Sequence, residues 1–242
     1  MSLFAIADLH FGASANKPMD RFGENWINHT EKIIENWKNT ISEKDTVLLP
    51  GDLSWGMRME DAAVDLDIIY NLPGRKILLG GNHDYWWKSS ARLESQYPGM
   101  RFLKNGCDWY EDWAICGTRG WLCPNDARFG LHDQKLYERE QIRLRLSLDM
   151  AAAFGAEKIL LMFHFPPMND KRETSAFTEI LEEYAVKTVV YGHLHGKESH
   201  ETGFQGIRNG VEYMLVSSDY LDFCPKKIIE PWRRKKSEPV KK

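Results

Sequence analysis

Short apolar runs alternate with longer stretches whose apolar residues recur at helical spacing. The runs at 3–7, 46–50, 76–80, 158–163, 187–191 and 211–217 read as strands. Segments 107–110 and 113–116, split by Glu111-Asp112, read as a hairpin. Between the first two strands, Phe22, Trp26, Ile33, Trp37 and Ile41 fall on one face of a helix within 20–42. Ala62, Leu66 and Ile69 do the same in 59–71, which Pro73-Gly74 ends. Two more helices are expected at 134–154, closed by Gly155, and at 173–185. Strands and helices in alternation predict an α/β domain. No internal repeat or linker interrupts it, and 242 residues suffice for one domain with a substantial core.

Two segments break the pattern. Residues 117–133 are turn-rich, mix Arg, Trp, Pro and Asp, and are longer than a connector needs. Residues 226–242 hold eight Lys/Arg against Glu230 and Glu238, with no period beyond Ile228, Ile229 and Trp232. The expected division is a domain over 1–225 and a basic, partly disordered tail over 226–242. Setting the tail aside changes the charge: the chain's −3 becomes −9 for the first 225 residues. An acidic body argues against a broad nucleic-acid surface, which draws on clustered positive charge.

Cys107, Cys116, Cys123 and Cys224 form neither a CxxC pair nor zinc-ribbon spacing, and read as reduced thiols. The opening residues lack a basic segment before their apolar run, and no run approaches the ~18 residues of a membrane span. A cytoplasmic protein without a membrane association is expected. Nothing in the sequence indicates an oligomeric state.

The chemistry lies in position. Strand 3–7 runs into Asp8-Leu9-His10, 46–50 into Gly51-Asp52, 76–80 into Gly81-Asn82-His83-Asp84, 158–163 into His164, and 187–191 into Gly192-His193-Leu194-His195. Ligands of α/β sheets sit outside the carboxyl ends of strands, so these five loops should converge on one crevice. Five of the eight histidines lie in them. Gly51, Gly81 and Gly192 suit sharp turns, often at positive φ, and close backbone approach. Carboxylate and imidazole without thiolate suit Mn, Fe, Zn or Co rather than a structural zinc site. Asp52 has two oxygens and is the natural bridge between two such ions, which together would activate a water and clamp a phosphoryl group.

These blocks, in this order, resemble the calcineurin-like metallophosphoesterases. GNHD and GHxH carry most of the specificity, and the five blocks span residues 8–195. The resemblance implies two mixed β-sheets packed as a sandwich and flanked by helices. It implies one divalent ion held by Asp8, His10, Asp52 and His195, and another by Asp52, Asn82, His164 and His193. It also implies a non-ligand His83 that faces the substrate, protonates the leaving oxygen or holds its charge, and is oriented by Asp84. The chain departs from the commoner pattern at Phe11-Gly12, at Leu53-Ser54-Trp55 and in Gly117-Thr118-Arg119-Gly120-Trp121, which bear on substrate choice.

Trp55, Trp86, Trp87 and Trp121 flank these loops. Trp55 is a candidate to stack on a substrate, and Arg119 to hold a phosphate oxygen bidentately. His29, His132 and His200 fall outside the motifs and read as surface or structurally satisfied residues. The function expected is hydrolysis of a small phosphomonoester, phosphodiester or nucleotide-like substrate. A nuclease of the same fold and a non-catalytic metal-binding scaffold are the alternatives.

Overall fold

The computed structural model describes residues 1–15 and 17–229, which form two stacked mixed sheets between layers of helix. The first sheet contains β1 (Leu3–Ala5), β2 (Thr46–Pro50), β3 (Arg75–Leu79), β4 (Arg101–Leu103) and β11 (Lys226–Ile229), in the order β11-β1-β2-β3-β4. The second contains β5 (Cys107–Tyr110), β6 (Trp113–Thr118), β7 (Lys158–Phe163), β8 (Thr188–Tyr191), β9 (Gly206–Arg208) and β10 (Val211–Leu215), in the order β5-β6-β7-β8-β10-β9. Antiparallel pairs occur only at edges, where β11 meets β1, β5 meets β6 and β9 meets β10. The parallel strands between them therefore end on one side of each sheet.

Alternation along a strand explains the continuous apolar runs. In β7, Ile159, Leu161 and Phe163 face outward to Leu144, Leu148 and Phe177. Leu160 and Met162 face inward, packing with Leu48, Ile77 and Val190 between the sheets. Both faces of these strands are dry, so neither set of positions can be polar. Helices α1 (His29–Thr40), α2 (Met59–Asn71) and α3 (Ser90–Gln96) supply apolar residues to the core outside the first sheet. Helices α4 (Leu131–Ala153) and α5 (Ala176–Glu183) cover the second, and the short α6 (Lys197–Thr202) follows β8. No helix of the described residues is long and apolar enough to cross a membrane.

The expected elements are present, with local corrections. The helix placed in 20–42 begins only at His29. Gly23 at φ 143° and Asn28 at φ 55° break the preceding segment into two 3₁₀ turns, although Trp26 still reaches the core. Helix α4 starts at Leu131 because the Asp133 carboxylate accepts the Gly130 N–H at 2.8 Å. Helix α5 starts at Ala176, where Ser175 and Thr178 cap one another's N–H groups at 3.2 and 3.0 Å. Elements α3, β4, α6 and β9 are too short to leave a readable period. Residues 226–229, assigned to the tail on charge, form the edge strand β11 against β1. The charge boundary at 225 thus falls short of the folded chain; positions 230–242, including Trp232, lie outside the described residues.

Leu160 is fully buried between the sheets. Leu160→Ala should lower unfolding stability by about 2–5 kcal/mol while leaving the native circular dichroism spectrum intact, as measured by chemical denaturation.

Candidate metal centre

Backbone hydrogen bonds draw the loops at the strand ends together before any side chain is considered. Asp8 N–H donates to Gly51 O at 2.9 Å and His10 N–H to Asp52 O at 3.0 Å, fastening the loop after β1 to the loop after β2. Ala7 N–H donates to Val216 O at 2.7 Å and Ser218 N–H to Ala7 O at 3.0 Å, so the same loop also grips the second sheet. His193 N–H reaches both Asp8 oxygens at 3.1 and 2.9 Å, and His83 N–H reaches Asp52 Oδ1 at 2.8 Å.

This convergence strains the chain. Asp8, His10, Asp52 and His193 all have positive φ, at 59°, 46°, 54° and 71°. Non-glycine residues there cost about 1–3 kcal/mol each and persist where their surroundings hold them, a habit of functional sites. Gly51 has the positive φ expected of it, at 95°, and a Cβ there would strike His164 Nδ1. Gly81 and Gly192 are needed for space instead. A side chain on Gly81 would collide with the Asp52 carboxylate, and one on Gly192 with the Asp8 carboxylate.

The side chains form two clusters. Asp8, His10 and His195 offer ligand atoms within 4.8 Å of one another, and so do Asp52, His164 and His193. Asn82 Oδ1 joins the second cluster, 2.7 Å from His164 Nε2. Asp52 Oδ2 lies 3.4 Å from His164 Nε2 and 3.8 Å from His10 Nε2, between the two groups. All seven residues expected at one crevice are therefore together. The donor set fits divalent cations: His10 and His195 turn their Nε2 atoms toward each other at 3.2 Å, two lone-pair positions converging on one space.

A surrounding layer fixes the imidazoles. His164 Nδ1 lies 3.0 Å from Pro50 O, which can only accept, so its N–H sits there and Nε2 points at Asn82 and Asp52. His195 Nδ1 is held by Asp219 Oδ1 at 3.0 Å, which turns Nε2 inward. Asp219 Oδ2 also accepts the Gly196 N–H at 2.9 Å and lies 3.2 Å from His200 Nε2. His29 Nε2 contacts His10 O at 3.1 Å. His29 and His200 thus support the site from behind rather than lying at an unrelated surface, whereas His132 is exposed.

Electrostatics follow from burial. Burial alone would raise Asp52, yet the imidazoles of His164, His10 and His83 hold it well below the usual carboxylate range. Burial likewise opposes a charge on His164, but Asp52 and Asp8 raise it to about 9. Burial pushes Asp8 up to about 6 and keeps His10 and His193 neutral.

One expectation is corrected. Asp84 does not orient His83: its carboxylate accepts N–H groups from Leu53, Ser54 and Gly81 at 3.0, 3.3 and 2.8 Å, stapling the loops after β2 and β3. Burial, then repulsion from Asp52, pushes Asp84 up to about 7. Burial also lowers His83, whose ring stands at the rim, 4.4 Å from the Trp55 ring. The Arg119 guanidinium lies over Trp121 at 4.8 Å and 4.0 Å from Glu140, while its carbonyl accepts the His164 N–H at 3.2 Å. Trp55 does lie at the site, stacked on His10 at 4.7 Å. Trp86 is core, Trp87 packs on Phe102, and Trp121 packs on Phe165, which lies against His193. Asp219 was missed, although Ser217-Ser218-Asp219 follows a strand just as the other blocks do.

The comparisons agree with this geometry. Residues 1–197 match the family description "calcineurin-like phosphoesterase". An uncharacterized protein of Methanocaldococcus jannaschii is 29% identical over 102 residues, 42% of this chain and 56% of its own, so the match spans little more than half of that relative. The Gene 66 protein of Mycobacterium phage D29 is 25% identical over 201 residues, covering 81% of this chain and 79% of the phage protein. Among solved structures, a phosphopantetheinyl hydrolase of Mycobacterium tuberculosis superposes with a TM-score of 0.58 at 15% identity, over 95% of this chain and 96% of that one, a likeness of fold. With the match covering most of the sequence and all five strand-end blocks meeting at one place, the chain belongs to the calcineurin-like phosphoesterase family.

Proposed function

We propose that the protein hydrolyses small phosphate esters at a centre of two divalent cations that share Asp52. The observation that carries this reading is Asp52 Oδ2, within 4 Å of imidazole nitrogens from both clusters. Asp8, His10 and His195 would hold one ion, and Asn82, His164 and His193 the other, with Asp52 common to both. Two such cations supply Lewis-acid polarisation of a phosphoryl oxygen and an acidified water at neutral pH. The chain's own part is to hold Asp52 ionised through the imidazoles of His164, His10 and His83, to fix its Oδ1 with the His83 N–H, and to orient His164 and His195 through Pro50 O and Asp219.

His83 is not in either cluster, and its Nε2 lies 4.0 Å from Asp52 Oδ2 on the open side. Being the least buried of the site's imidazoles after burial by Trp55 and Tyr85, it is suited to give an N–H to the oxygen of the leaving group. Asp84 serves this reaction indirectly, by fixing the loop that carries Asn82 and His83.

The reading is tested by removing metal with a strong chelator, then restoring single ions and assaying aryl phosphates and their diesters. Activity should vanish and return best with Mn²⁺. Full turnover after verified metal removal would sink the two-cation reading, and no turnover with any ion or ester would favour a binding scaffold. A second prediction concerns His83→Ala, which should retain its metal and fold while kcat falls by about 10²–10⁴ for alkyl phosphates. The loss should be smaller for 4-nitrophenyl phosphate, whose leaving anion needs little help. A loss indifferent to the leaving group would limit His83 to gripping the phosphate.

A further inference from the structure

Beside the candidate metal centre, a cavity of about 310 Å³ opens between the carboxyl ends of β3, β4 and β6 and one face of α4. Its wall carries Lys104, Arg119, Arg139 and Arg143. Two buried acids border it, and both are already engaged: Glu140 pairs with Arg143 through Oε1, accepts the Thr118 hydroxyl on Oε2 at 2.6 Å and stands 4.0 Å from Arg119, while Asp84 accepts the N–H groups of Leu53, Ser54 and Gly81. Arg139 and Lys104 have no ion pair among the described residues. The Arg119 Nε is buried with no acceptor, and Arg139 and Arg143 both act against the charge on Arg119. Four cations against two carboxylates leave an excess of positive charge at this hollow, in a body that is otherwise acidic, and a bound anion would balance it.

The hollow adjoins the second cluster. Gly81, which borders it, precedes Asn82 in the chain, and the Arg119 carbonyl holds the His164 N–H. Trp121 stacks on the Arg119 guanidinium and fixes its plane. Arg139 and Arg143, four residues apart on α4, present adjacent donors to the same space.

We propose that this cavity binds a tetrahedral oxyanion of the phosphate class. Its source is either a second, non-reacting phosphoryl group of a substrate or free phosphate. The first source rests on the phosphoesterase reading above, and the binding itself does not.

The test uses crystals of the metal-loaded full chain soaked in tungstate, with anomalous scattering locating the anion. A peak among Arg119, Arg139 and Arg143 is expected, distinct from any peak at the metals. It should disappear in the Arg139→Ala/Lys104→Ala double variant, whose two altered side chains make no ion pair among the described residues. No peak in the cavity would overturn the proposal. A peak that persists in the double variant would mean an adventitious ion only, and would overturn it too. Kinetics then separate the sources. If the second phosphoryl group is the ligand, the double variant should raise KM for adenosine 3′,5′-bisphosphate by about tenfold or more and leave 4-nitrophenyl phosphate unchanged. If free phosphate is the ligand, both KM values should stay level while inhibition by inorganic phosphate weakens. A cavity peak in a protein inactive on every ester would uphold the site and sink the catalytic reading; turnover without the peak would do the reverse.

Discussion

A carboxylate buried to 1% exposure, Asp52, sits where the loops of both sheets meet, and its charge organises everything around it. An isolated buried anion is very costly, so it must be surrounded by cations or strong donors. Here one oxygen takes the His83 N–H, and the other faces imidazoles from two clusters. Bringing donors that close requires the backbone to follow. That demand accounts for the left-handed residues Asp8, His10, Asp52 and His193, and for glycine at 51 and 81, where a Cβ would strike His164 and Asp52 respectively.

The sandwich makes this arrangement reachable. Parallel strands β1, β2 and β3 in one sheet and β7 and β8 in the other deliver their carboxyl ends to one edge. The Ala7 bonds to Val216 and Ser218 stitch the sheets together at that edge. Asp84 and Asp219 then do similar work: each is a buried acid whose oxygens accept loop N–H groups or hold an imidazole. The family assignment and the local geometry therefore rest on different observations and reach the same place.

Much of this was legible in the chain itself. Strands dry on both faces leave unbroken apolar runs, and polar blocks beginning where those runs stop marked the seven clustered residues. Other features were hidden for physical reasons. A strand of three or four residues, such as β4 or β11, carries too few positions to show a period. The Lys226-Lys227 pair disguised β11 as solvated tail, though an edge strand tolerates charge. The family resemblance implied that Asp84 orients His83, whereas the Asp84 carboxylate is occupied by the N–H groups of Leu53, Ser54 and Gly81. The cluster of Arg119, Arg139 and Arg143 depends on a contact between the loop after β6 and α4, which no local pattern encodes.

The central claim is that one carboxylate joins two cations, and magnetism tests it more directly than rate does. Protein loaded with Mn²⁺ should hold two ions per chain by elemental analysis. Its electron paramagnetic resonance spectrum should be that of an exchange-coupled pair, because two ions sharing one carboxylate would be held about 3.5–4 Å apart. One ion per chain, or two with the spectrum of isolated Mn²⁺, would contradict the account.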